Sequence, residues 1–300
     1  MNDLYRKQVA LLIRIMPSVY RIKDFAVHGG TAINLFHKDM PRYSVDIDLT
    51  YIPIQDRQTS LNTINRHLLT LKELIERSVP NIRVVHKPEV WKLQCTCEGA
   101  TVKIEVNGTK RGVIGDTEER LLCCRAQEEF QMACKARTVS FSQLYGGKIT
   151  AALSRQHPRD LFDCRYMEVD TFDKVRDGFL LCLLGSDKPI LESLRPNPID
   201  QVNALENQFE GMSDIPFPYS EYEETRRWLI SYINNSLTEA DKHLLLTFEE
   251  GQPDWALCPV GDLSEYPSVK WKLQNIEKLK ANNKKKYDQL ISKLKDHLFG

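Results

Sequence analysis

Six residues constrain this chain more than any others: Val45-Asp46-Ile47-Asp48-Leu49-Thr50. Apolar and polar side chains alternate with a period of two, the spacing of a β-strand with one apolar face. Both carboxylates then point to the other face. Aspartate is depleted in strands, and two on one face repel each other. A divalent cation between them would offset that repulsion, and Mg²⁺ favours one or two carboxylates together with phosphates and waters. An isolated pair of this kind is more often a solvated strand face, so the rest of the chain decides.

Strand spacing dominates the first half. Phe25-Ala26-Val27 reads as a strand running into His28-Gly29-Gly30. Thr31 is expected to cap a helix through His37, and Pro41 stops anything longer. Residues 2–16 suit a helix ended by Pro17. Leu61, Ile64, Leu68, Leu71 and Ile75 mark one face of a long helix. Runs at 82–86, 91–97, 101–106 and near 130–134 read as further strands. In the third of these, Glu105 lies opposite Val102, Ile104 and Val106, a third acid on a strand face.

Past residue 140 the period becomes helical. Ser140 to Gln143 fits a capping box opening a helix through Arg155, and Pro158 opens another. Ser236 to Glu239 fits a second capping box, before Leu244–Phe248. Residues 193–220, with four prolines, read as an irregular connection. Leu273, Ile276, Leu279, Tyr287, Leu290, Ile291 and Leu294 suggest one last helix. The expected fold class is α+β: a mixed sheet with flanking helices over 1–138, then a mostly helical lobe over 139–300.

Composition excludes several classes. Lys+Arg and Asp+Glu both number 41, which rules out a histone-like basic protein. With 42% hydrophobic residues, most of the chain is not disordered. No apolar run approaches the roughly 18 residues of a membrane span, and the first residues lack a signal-peptide pattern, so a cytoplasmic protein with no membrane partner is expected. Cys95/Cys97 and Cys123/Cys124 lack zinc-ligand spacing, and the eight cysteines read as reduced thiols. Charge is unevenly spread: residues 201–265 hold thirteen acids against three Lys/Arg, and residues 266–300 hold nine lysines against three acids. The lysine-rich tail is either a solvated helix face or a phosphate-contacting surface for RNA.

The segment HGGTAINLFHKDMPRYSVDIDL, residues 28–49, resembles the first motif of the DNA polymerase β-type nucleotidyltransferase superfamily, and within it the AbiEii/AbiGii toxin family of type IV toxin–antitoxin or abortive-infection systems. Lys148 to Arg155 followed by Pro158-Arg159-Asp160-Leu161-Phe162-Asp163 resembles that family's second block. The resemblance implies a nucleotidyltransferase-type sheet domain, with the helical lobe contributing nucleotide-binding and catalytic residues. It implies that Asp46, Asp48 and Glu105 bind Mg²⁺ or Mn²⁺, with Glu105 helping to activate the acceptor hydroxyl. Gly29, Gly30 and Thr31 would hold the triphosphate, and Lys148, Arg155 and Arg159 would bind the nucleotide. Essential acid function falls on Asp160 or Asp163, one of which could instead hold Arg159 or Lys148 in place. The implied reaction moves a nucleoside monophosphate from an NTP to an acceptor hydroxyl, a tRNA 3′ end by this resemblance, and the implied partner is a separately encoded antitoxin.

Three other functions compete: nucleotidylation of a protein, a nucleotide-sensing module without turnover, and a helical interaction protein with an incidental sheet. The intact set Asp46, Asp48, Glu105 and Lys148 argues against the last two, because a binding-only fold could lose its metal acids.

Overall fold

The computed structural model describes residues 2–167, 169 and 171–300. The chain divides into two compact units, residues 1–140 with 206–216, and residues 141–205 with 217–300.

Among the described residues of the first unit, seven strands form one mixed sheet. They are β1 (Phe25–His28), β2 (Asp46–Tyr51), β3 (Arg83–Lys87), β4 (Lys92–Cys97), β5 (Ala100–Val106), β6 (Glu118–Leu121) and β7 (Lys135–Thr138). The spatial order is β3-β4-β5-β2-β1-β7-β6. β2 runs parallel to β5 and β1 parallel to β7, while the other pairs are antiparallel. Register puts Leu93, Ile104 and Ile47 in one row, and all three are fully buried. The helices α1 (Asp3–Tyr20) and α3 (Arg57–Ser78) pack against the sheet and each other. Their buried stripes, Val9, Leu12, Ile15 and Met16 on α1 and Ile64, Leu68, Leu71 and Ile75 on α3, have the helical period that a sheet-covering helix needs.

Three local expectations are corrected here. Helix α1 continues through Pro17 to Tyr20. Proline forfeits one intrahelical hydrogen bond, but Ser18 and Val19 are buried beyond it, and their packing carries the helix on. Thr31 does not cap. The single turn α2 (Gly29–Thr31) runs directly into a π-helical stretch, Ala32–His37, and the Thr31 hydroxyl donates to the Asp46 carbonyl at 2.5 Å. The run near 130–134 is no strand. It follows α4 (Cys124–Phe130), where Gln131 takes a left-handed φ of 52°, and pairing resumes only at Lys135.

The described residues of the second unit form no strand, and its helices include α5 (Phe141–Arg155), α6 (Pro158–Arg165), α7 (Asp173–Leu184), α8 (Ile190–Leu194), α10 (Tyr219–Ser236), α11 (Glu239–Glu249), α12 (Pro267–Asn282) and α13 (Lys284–Phe299). The expected irregular connection contains α9 (Val202–Gln208). Its residues 206–216 belong to the sheet unit, where the Tyr43 N–H donates to the Met212 carbonyl at 2.7 Å. The capping box of α11 is Thr238 with Asp241, two residues later than expected. The expected last helix is two helices broken at Asn283, whose side chain caps α13 by accepting from Lys286 N–H.

Helices α5 and α7 meet backbone to backbone. A Cβ on Gly146 would lie 2.1 Å from the Phe179 nitrogen, and one on Gly178 would lie 2.1 Å from the Ser142 carbonyl oxygen. This contact fixes α5, and with it Lys148 half a turn further along. Gly146→Ala gains about 1 kcal/mol of helix propensity but forces the helices apart, and overpacking of this kind costs about 1–3 kcal/mol or more. Thermal unfolding of Gly146→Ala should therefore show a net loss of stability, and an unchanged or raised Tm would contradict the close crossing.

Candidate functional site

The sheet unit carries one acidic row. Cross-strand register pairs His28 with Asp48, Asp48 with Glu105, and Glu105 with Lys92, so four side chains line up across β1, β2, β5 and β4. Asp46 lies on the same face two residues along β2, registered with Lys103. The opposite face carries Ile47, Leu49, Ile104 and Val106, all buried. The alternation in the sequence thus has a direct cause: one face is core, and the other is left to charge.

The ends of the row are partnered. Lys92 Nζ lies 2.6 Å from Glu105 Oε1, and the Thr50 hydroxyl lies 2.9 Å from His28 Nδ1. A cleft of about 290 Å³ opens over the row, lined by His28, Asp48 and Glu105 together with Trp91, Asn107 and Gly108. Next to Asp48 is Gly29, with φ of 69°, where a Cβ would lie 2.7 Å from Asp48 Oδ2. Only glycine combines that conformation with that approach. Gly30 faces Arg42 and Ser44, and a Cβ there would lie 2.7 Å from Arg42 Nη2. Thr31 is buried at 1% exposure, and its hydroxyl pins the turn to β2. The turn and the aspartate strand are therefore one braced element.

Carboxylate oxygens are the hard donors that Mg²⁺ and Mn²⁺ take, so the chemistry of Asp46, Asp48 and Glu105, on one strand face, suits such an ion. Among the described residues no three His, Cys, Asp or Glu side chains converge on one point, and Glu105 rests on Lys92.

The helical unit carries the second block. Lys148 on α5 is 6% exposed, not on the surface as an unpartnered lysine would be. Its ammonium lies 2.8 Å from Asp160 Oδ1 and 2.9 Å from Asp163 Oδ2, both on α6. Arg155 adds Nε at 2.5 Å and Nη2 at 3.0 Å to Asp160, with most of its own side chain exposed. The i, i+3 spacing of Asp160 and Asp163 puts both on one helix face, and both hold Lys148. Burial opposes ionisation of Asp160, but Lys148 and Arg155 beside it prevail and hold its carboxyl well below the usual carboxylate range. Arg159 is half-buried in the first turn of α6, whose N-cap is the His157 side chain.

Four residues of these surroundings escaped the sequence: His28, Arg42, Trp91 and Lys92. Lys92 and His28 follow from register alone, which no single strand pattern reveals. Arg42 meets Gly30 through tertiary packing.

The mixed sheet, the glycine turn and the D-x-D strand beside a third acid define a nucleotidyltransferase-type fold. The chain overlays on MenT4, a nucleotidyltransferase toxin of Mycobacterium tuberculosis H37Rv, with a TM-score of 0.60 at 14% identity, over 92% of this chain and 95% of that one. No curated protein sequence matches the chain significantly. The family model "Nucleotidyl transferase AbiEii toxin, Type IV TA system" matches residues 11–274. The chain belongs to that family, the nucleotidyltransferase toxins of type IV toxin–antitoxin systems. No described helix is long and apolar enough to cross a membrane.

Asp160 makes a stability prediction with a definite sign. Its folded pKa is depressed, so its contribution is complete above the unfolded carboxylate pKa of about 4 and disappears as pH falls through the folded value. Asp160→Asn should cost on the order of 2–4 kcal/mol near pH 7. The Tm gap to the parent should persist at pH 5 and narrow below about pH 4. A gap that closes between pH 7 and pH 5 would exclude the buried pairing.

Proposed function

We propose that this protein transfers a nucleoside monophosphate from an NTP to a hydroxyl of RNA, at a tRNA 3′ end, in a metal-dependent reaction. The observation that carries the proposal is the registered pair Asp48–Glu105, set on adjacent parallel strands beside the Gly29 turn. Asp46, Asp48 and Glu105 would hold the Mg²⁺ or Mn²⁺. Bound there, the metal would acidify the acceptor hydroxyl and neutralise the triphosphate.

The chain's own groups supply the rest. Backbone N–H groups of the Gly29–Gly30 turn would meet the phosphate oxygens. A Glu105 carboxylate oxygen takes the acceptor proton as the acceptor oxygen bonds to the α-phosphorus. The bond from that phosphorus to the bridging oxygen breaks, and pyrophosphate leaves with the electron pair. Arg155 is the exposed cation of its cluster and would be the member that binds phosphate. Lys148 stands behind it, and Asp160 and Asp163 position both cations. An NTP substrate and a cognate antitoxin follow from the family.

The test is transfer of label from each α-labelled NTP to total tRNA with Mg²⁺, alongside Asp48→Asn. Label on RNA that needs metal and falls by about 10³-fold in the variant is the expected result. Label on protein would move the acceptor to a protein hydroxyl. Full transfer by Asp48→Asn, or transfer unaffected by chelator, would overturn the metal-dependent assignment.

The tail offers a second check. Lys284, Lys285 and Lys286 are exposed in the first turn of α13, where positive charge opposes the helix dipole. If they contact RNA, replacing all three by Gln should lower the slope of log affinity against log salt by about 2–3. An unchanged slope would leave them a solvated face.

A further inference from the structure

Among the described residues, Trp91 is the one Phe, Tyr or Trp lining the cleft over the acid row, and neither its exposure nor its backbone is what packing alone would select. It follows the short turn Pro88–Val90 and has φ of 49° and ψ of 50°, the left-handed region that bulky residues rarely enter. The Val106 N–H donates to its carbonyl at 3.1 Å, which ties that conformation to the start of the β4–β5 ladder. A Cβ on Gly108 would lie 2.8 Å from Trp91 Cζ3 and 2.9 Å from Cε3, so the missing side chain at 108 makes room for the indole. Trp91 is half-buried, and the adjoining Val90 is 48% exposed. The result is an aromatic wall beside two carboxylates, with a strained backbone holding it there.

We infer that Trp91 is a stacking platform for the nucleobase at the acceptor end of the RNA. This rests on the RNA-acceptor proposal above and adds the residue that grips the acceptor. The order along the row places it. His28 and the Gly29 turn lie at one end, Asp48 and Glu105 in the middle, and Lys92, next to Trp91, at the other end. With the triphosphate at the glycine turn, the Trp91 end is left for the second substrate, next to the acid that takes its proton. Every base has a π-face, so stacking grips a single-stranded end without reading its sequence.

The experiment measures steady-state transfer to total tRNA for the parent, Trp91→Leu and Trp91→Phe. Leucine keeps apolar packing against Gly108 and removes the π-face, while phenylalanine keeps a π-face. Base–aromatic stacks are worth enough that Trp91→Leu should raise the tRNA KM about tenfold. Trp91→Phe should stay within about threefold of the parent, and the NTP KM should be unchanged in both. A tRNA KM that is the same in Leu and Phe variants would overturn the inference. So would a rise confined to the NTP KM, which would give the indole to the incoming nucleotide. If the parent labels no RNA at all, the acceptor proposal itself falls and this one with it, whereas a parent that labels RNA with an indifferent Trp91 removes only the platform.

Discussion

The parallel register of β2 against β5 is the constraint on which the rest of the sheet unit depends. It sets Asp48 beside Glu105 on one face and Ile47 beside Ile104 on the other. A slip of one residue would exchange the faces, driving carboxylates into a core that is fully buried at Ile47, Leu49 and Ile104. That core fixes the register, and the register creates the acid pair. The repulsion between the acids is the smaller effect, because like charges on a wet strand face cost at most about 1 kcal/mol, and burying a single aliphatic side chain contributes about 1.5–3 kcal/mol. Packing therefore wins at every rung, and it holds the two anions together on one face.

The bracing of the glycine turn follows the same logic. Thr31 is buried, and its hydroxyl reaches back to the backbone of Asp46. The Asn34 side chain donates to the Gly30 carbonyl at 2.9 Å. The turn is thus held from both sides while Gly29 stays bare against Asp48. The π-helical stretch behind it, Ala32–His37, is almost wholly buried, and such stretches are frequent at functional sites. Of the sequence signals in this turn, Gly29 has a direct geometric cause, since no other residue satisfies its backbone and its approach to Asp48.

Much of this was legible in the residues. The alternation 45–50 located β2, the apolar runs located β3, β4 and β5, and Pro158 opened α6 where it should. The misses share a cause: a local signal outweighed by tertiary packing. Pro17 reads as a stop, but the buried residues after it keep α1 going. Ser236 reads as a cap, but it is the last residue of α10, where its hydroxyl donates to the Tyr232 carbonyl, and Thr238 is the residue in position. The apolar stripe of the tail bridges Asn283 without showing the break. The contacts of Lys148 with Asp160 and Asp163 were not legible, because nothing local links residues twelve and fifteen positions apart. Lys92 and Trp91 carry no motif at all; only strand pairing brings them to the acids.

The two charged clusters differ in burial and in how their charges are paired. In the helical unit, Lys148 and Arg155 balance Asp160 and Asp163, and three of the four are nearly or fully buried. A buried, balanced set is expensive to disturb, since removing one partner leaves an uncompensated charge. It holds geometry and has little charge to offer a ligand except through Arg155, its exposed member. On the sheet, Asp46 is registered with Lys103 and Glu105 pairs with Lys92, with Glu105 40% exposed and the ion pair open to water. Water and counter-ions compete readily for such a pair, so its partners can be exchanged at small cost. A water-facing pair on a sheet keeps its charge exchangeable. A neutral buried set is suited to keeping α5 and α6 in place. The fold therefore puts exchangeable charge where strands fix its spacing, and locked charge where two helices must stay together.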